Sequence, residues 1–205
     1  MKIKLPYGKE SLILDLPNDR VKIIEPKKLK ETSANTEILE RALEKPLAGS
    51  KLKDMVKNRK VCALVEDSTR GQPHWRQIEA SAKRLKGATH IQYIITTGSH
   101  NPQDEGNLEI VRIIKEIAKR YHLNHNILIH DCERPTVKVG ITTRGTKVEI
   151  EPELLKVEVF FVTSNMKNHY FAGYCNVIKN FLPGCCSFET IEANHRLALE
   201  REASF

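Results

Sequence analysis

One short stretch gathers two imidazoles and one amine: His169-Tyr-Phe-Ala-Gly-Tyr-Cys-Asn-Val-Ile-Lys179-Asn-Phe-Leu-Pro-Gly184, closed by Ala193-Asn-His195. Two further polar clusters, Asp67-Ser-Thr-Arg70 and Thr97-Gly-Ser-His100-Asn-Pro102, contain the residue types that move protons and bind anions. Neutral imidazole titrates near pH ~6.5, so His100 and His169 suit acid and base roles on opposite faces of one substrate. Taken alone, His100 also reads as an ordinary loop histidine. Arg70 could grip a carboxylate through paired N–H donors, with Asp67 orienting it or a histidine. The same four residues also read as an Asp67 helix cap beside a solvent-facing Arg70. Lys179 has the apolar neighbours Val177, Ile178, Phe181 and Leu182. It is either a stem that snorkels at the core edge or a nucleophile or covalent anchor whose neutral fraction rises with desolvation. His195 is a metal ligand or a helix-face histidine. A zinc site built from His100, His169 and His195 would support hydrolysis without any use for Lys179.

These side chains need elements to position them. Residues 2–16 alternate around Pro6-Tyr-Gly8, which predicts a β-hairpin, and Val21–Ile24 suits another short strand. Pro26–Glu31 reads as a basic connector, and Thr36–Leu43 and Leu52–Val56 show helical spacing. A βαβ pattern then begins. Val61–Val65 is a short continuous apolar run of the kind buried on both sheet faces, followed by a helix over 75–85, a strand over 91–96 and a helix over 109–121. Ile127–Ile129 is a third strand, 137–139 and 147–150 form a hairpin around Arg144-Gly145, and 157–162 is the last buried strand. A further helix begins near Ser187. The expected fold is therefore α/β, with a mainly parallel sheet, flanking helices and an N-terminal β-hairpin. All three polar clusters fall after strands, at the carboxyl edge where open α/β sheets keep their ligand crevice.

The chain of 205 residues is long enough for one large domain, or one with a small subdomain, without metal or disulfide staples. Its 33 Lys and Arg against 26 Asp and Glu give a net charge of +7. The lysines are scattered and have few aromatic neighbours, so they do not form a nucleic-acid patch. Five cysteines without a C-x-x-C pair argue against a disulfide framework or a zinc finger. The adjacent Cys185 and Cys186 read as buried filler, and His74, His90, His122, His125 and His130 as structural or surface histidines. No apolar run reaches the ~20 residues of a membrane span. The expected location is the reducing cytoplasm.

Taken together, Asp67-Ser-Thr-Arg70, Thr97-Gly-Ser-His100-Asn-Pro, His169-Tyr-Phe-Ala-Gly173, Lys179 with Leu182-Pro-Gly184, and Ala193-Asn-His195 resemble the N-terminal domain of the nickel-pincer-dependent lactate racemase family, as does Leu5-Pro-Tyr-Gly before the hairpin. The resemblance covers nearly the whole chain, with the motifs in the family's order. It implies an isomerase, a racemase or epimerase of a lactate-like 2-hydroxy acid acting by reversible hydride transfer. The implied cofactor is a nickel-pincer nucleotide, a pyridinium thioamide/thiocarboxylate mononucleotide that protein from a heterologous host is expected to lack. Lys179 would be its tether and His195 a nickel ligand, since soft sulfur donors plus imidazole suit square-planar nickel. His100 and His169 would be the acid/base pair, and Arg70 would hold the substrate carboxylate with support from Asp67. Where the family carries a glycine-rich segment before the tether, this chain has Cys175-Asn-Val-Ile178. The family's C-terminal domain is not part of this sequence, so the expected unit is an N-terminal α/β domain over 1–205. Its expected partners are the hydroxy acid and a separate C-terminal-domain chain or a second copy. The other reading from the same residues is a non-catalytic ligand- or cofactor-binding module that needs a separate second domain.

Overall fold

The computed structural model describes residues 1–25, 35–71, 74–169, 173–175 and 177–200. The chain divides into two compact units, Met1–Ser33 and Ala34–Phe205. In the first, β1 (Lys2–Tyr7) and β2 (Glu10–Asp15) pair antiparallel, from Lys2 opposite Asp15 to Tyr7 opposite Glu10. The expected hairpin forms. The strand expected over Val21–Ile24 does not: residues 21–25 have no regular structure, and 22–25 are exposed. Ile23 and Ile24 stay 59% and 83% exposed, so little burial offsets the entropy cost of ordering the segment as a strand. The connector expected over Pro26–Glu31 lies outside the described residues.

The second unit starts with α1 (Asn35–Glu44) and a short α2 (Leu52–Met55), which lead into β3 (Lys60–Glu66). Then come α3 (His74–Leu85), β4 (His90–Thr96), α4 (Glu105–Tyr121) and β5 (His125–Ile129). A hairpin of β6 (Val137–Ile141) and β7 (Lys147–Ile150) precedes β8 (Val159–Thr163). A second, smaller hairpin joins β9 (Lys167–His169) to β10 (Gly173–Cys175), and α5 (Phe188–Arg196) follows. Strands β5, β4, β3 and β8 lie in that order, and every neighbouring pair is parallel. The chain moves outward from β3 through β4 to β5, then returns to the other side of β3 with β8. That reversal is the topological switch point at which such sheets bind ligands.

The period-2 pattern of β3 explains why the sheet is buried on both faces. Val61, Ala63 and Val65 enter a core shared with Ile78, Ala82 and Leu85 of α3 and Ile110, Ile114 and Ile117 of α4. Cys62 and Leu64 point the other way, into a smaller core with Ile94, Leu154 and Cys185. Each fully buried Leu or Ile contributes about 1.5–3 kcal/mol relative to exposure. Burial also pushes the Cys62 and Cys186 thiols up to about 12 and raises Cys185, so these are inert packing groups.

Two boundaries differ from the sequence expectation for local reasons. Helix α4 begins at Glu105, not Glu109, because the Asp104 side chain accepts the Gly106 N–H at 2.9 Å and caps an extra turn. Strand β8 begins at Val159 because Pro152–Lys156 winds into a 3-10 turn that runs into Val157. Among the described residues no helix is long and apolar enough to cross a membrane.

Candidate active site

The carboxyl ends of β3, β4 and β8 open into a cavity of about 230 Å³, whose lining includes Glu66, Thr96 and Asn165 from those ends. Arg70, His100, His169, Lys179 and His195 line it as well, so five of the six side chains singled out in the sequence meet in one space. Asp67, the sixth, sits behind it at 1% exposure. Tyr170 to Ala172 and Asn176, parts of the same motifs, lie outside the described residues.

Asp67 and His100 form the most tightly organised part of the site. Oδ2 of the Asp67 carboxylate makes a short hydrogen bond with Nδ1 of His100, and Oδ1 accepts from Thr69 Oγ1 at 2.7 Å. A buried carboxylate is tolerated only with such partners. Its bond assigns the proton to Nδ1 of His100 and leaves the lone pair on Nε2, the arrangement of an oriented general base. Arg70 Nε lies 3.7 Å from Asp67 Oδ1, and the Arg70 side chain is 39% exposed. The Asp67 side chain caps no helix and instead engages His100, Thr69 and Arg70.

The opposite wall is built differently. His169 ends β9, directly across the hairpin from Gly173. Its pKa is lowered by burial first, and then by the neighbouring Lys179, His195 and Arg70 side chains, so the neutral form is favoured. Lys179 lies in a 3-10 turn over Val177–Asn180, and its Nζ is 3.5 Å from Cys175 Sγ. The apolar surround expected for it is only partial, because Val177 and Ile178 are 49% and 64% exposed. On α5, His195 donates Nδ1–H to the Ile191 carbonyl at 2.7 Å, which leaves the Nε2 lone pair as its donor atom.

Two glycines let the walls approach each other. Gly98 holds φ +56° and donates its N–H to the Gly184 carbonyl at 3.0 Å. A Cβ on Gly184 would come within 2.5 Å of the Asn180 carbonyl oxygen, so no larger residue fits without moving that backbone. Asn180, 4% exposed, accepts from Thr96 Oγ1 at 2.8 Å and ties the lysine turn to the end of β4.

Sequence reading missed several members of the site. Glu66 accepts from Ser164 Oγ at 3.1 Å and from the Asn165 N–H at 3.2 Å, which fixes the start of the β8–β9 connection. Its one visible signal is a carboxylate ending an otherwise apolar strand. Lys167 donates to the Arg70 carbonyl at 3.0 Å, and nothing local in the sequence marks it. His130, read as structural or surface, is structural and not part of the cavity lining: it is fully buried and donates to the Cys186 carbonyl at 2.9 Å. The three-histidine zinc arrangement does not form. Among the described residues, no three His, Cys, Asp or Glu side chains are grouped to hold a metal ion.

A family model described as the lactate racemase N-terminal domain matches residues 7–205. A lactate racemase from Thermoanaerobacterium thermosaccharolyticum is 27% identical over 203 residues, covering 94% of this chain and 46% of that protein. The lactate racemase of Lactiplantibacillus plantarum is 25% identical over 207 residues, with the same 94% and 46% coverage. The solved structure of the lactate racemase apoprotein from Thermoanaerobacterium thermosaccharolyticum superposes with a TM-score of 0.76 at 25% identity, over 100% of this chain and 49% of that one. The chain thus spans about half the length of the relatives it matches.

Proposed function

The chain belongs to the lactate racemase N-terminal domain family, and from that premise we propose that it carries one side of the active site of a 2-hydroxy acid racemase or epimerase. The observation that supports this reading best is the convergence of His100, His169, Arg70, Lys179 and His195 on one cavity, with Asp67 buried against His100.

Each residue then has a specific task. Arg70 holds the substrate carboxylate, since its Nε is already turned to Asp67 and the outer guanidinium nitrogens remain for a paired contact. His100, with Nδ1 bound to Asp67, uses Nε2 to take the hydroxyl proton of one enantiomer. His169, held neutral by burial and by the nearby cations, takes that of the other. For inversion one histidine enters neutral and the other protonated: the first keeps the hydroxyl proton it takes, and the second gives its own to the carbonyl oxygen of the ketoacid. The two histidines belong to different elements, the loop after β4 and strand β9, so each can serve one orientation of the substrate hydroxyl.

The donor set fits a tethered nickel-pincer nucleotide. Lys179 offers a primary amine for the thioamide link, and His195, with its Nδ1–H fixed on the Ile191 carbonyl, offers Nε2 to the metal. When bound, that group would supply the hydride acceptor for the substrate α-carbon. The hydroxyl proton, the carboxylate and the exclusion of water are left to this chain and to whatever covers the open side of the cavity.

The test is intact and peptide mass spectrometry of protein made together with the cofactor-synthesis enzymes, with nickel quantified in the same sample. The expected result is a cofactor-sized adduct on Lys179 with bound nickel, followed by racemisation of 2-hydroxy acids when a second-domain chain is supplied. An unmodified Lys179 without nickel would replace this reading with that of a non-catalytic binding module.

A further inference from the structure

We propose that Asn107 is a positioning residue that holds the Asp67–His100 pair together from behind. Asn107 lies in the first turn of α4 and is 1% exposed. Its Oδ1 accepts the Ser68 N–H at 3.0 Å, and its Nδ2 donates to the Asn101 carbonyl at 3.1 Å. Ser68 follows Asp67, and Asn101 follows His100. One planar amide therefore bridges the backbone beside both members of the pair, although the two belong to loops of different strands. Asp104 adds a parallel link: its Oδ1 accepts from Ser68 Oγ at 2.8 Å while capping α4 through Gly106.

The chemistry selects an amide at this position. A donor and an acceptor must come from one short, planar, buried side chain. A carboxylate would set an acceptor against the Asn101 carbonyl, and an alkyl group would take this partner from both the Ser68 N–H and the Asn101 carbonyl. The Asp67–His100 bond is sensitive to this because hydrogen bonds weaken steeply with distance and angle. If the loops separate, the imidazole is released to its other tautomer, with the proton on Nε2 and no base left at that atom.

The inference rests on the reading of Asp67 and His100 as a working pair, so its test does not use turnover. Long-range proton–nitrogen NMR of the full chain at neutral pH reads the His100 tautomer, with H100Q identifying the signals. The native chain is expected to show His100 protonated at Nδ1. Asn107→Asp and Asn107→Ala are expected to move it to the Nε2–H form or a mixture. Ile117→Val, a core substitution that only lowers stability, is expected to leave it unchanged. A folded N107D or N107A that keeps the Nδ1–H tautomer overturns the proposal. If neither variant folds, the native side-chain amide protons of Asn107 decide: slow exchange with water supports the clasp, and exchange as fast as at a surface asparagine overturns it. A native His100 without a proton on Nδ1 removes the pair itself and the inference with it. Failure to racemise, with the tautomer as expected, sinks only the racemase reading.

Discussion

Of the histidines that line the cavity, His100 and His169 are held in different ways. His100 is anchored from the core outward: its partner Asp67 is buried, and the loops carrying both are joined through Asn107 to the first turn of α4. His169 lies on a three-residue strand beside the exposed Met166 and Tyr174, and burial first, then the nearby Lys179 and Arg70, favour its neutral form. One imidazole is set by orientation and the other by burial and charge. Two side chains of one type can thus be tuned without duplicating the local structure, because tautomer and charge are separate levers on an imidazole.

The largest expected effect comes from breaking the orientation on the His100 side. Asp67→Asn cannot accept the Nδ1–H in the same way, and racemisation by the cofactor-loaded protein should fall about 10²- to 10⁴-fold, the usual contribution of a positioned acid or base. A fall of less than a few-fold in a kinetic assay would mean that His100 does not depend on Asp67. Next in size is the close packing within the lysine side of the site. Gly184→Ala would force the Asn180 carbonyl away from its new Cβ, a change expected to cost about 1–3 kcal/mol in urea unfolding. An unchanged midpoint would show that the lysine turn and Gly184 are not locked together.

Smaller effects separate the electrostatic side. Lys179→Met removes one of the charges that depress His169, so the His169 titration followed by NMR should move up while that of His100 stays in place. Equal movement of both would erase the distinction. The smallest effect is on stability. The folded His169 binds its proton less readily than the ordinary imidazole at ~6.5, so between its depressed midpoint and that value the unfolded chain carries more protons. Stability contributed by His169 is therefore present above ~6.5 and is lost as pH falls through that window. Lys179→Met should flatten the slope, as urea titrations across that range would show.

Much of the scaffold was legible because its signals are local. The apolar run of β3, the i, i+4, i+7 spacing of Ile110, Ile114 and Ile117, and the alternation of the N-terminal hairpin each occupy a few consecutive residues. The places that misled were those where partners are distant or missing. Val21–Ile24 has strand-forming residues but gains no strand partner among the described residues, and the start of α4 was set by a cap rather than by hydrophobic spacing.

By itself, the sequence determined the fold class, the succession of strands and helices, and the fact that the polar clusters follow strands, because period, turn chemistry and composition act over short distances. Packing alone set the pairing of β8 with β3 and not with β5, the turn of Asp67 to His100 in place of a helix cap, and the bond of Asn107 to Ser68. These relations join residues about 30 to 100 positions apart. They depend on which surfaces meet when the sheet packs, and no short-range preference of the chain specifies that.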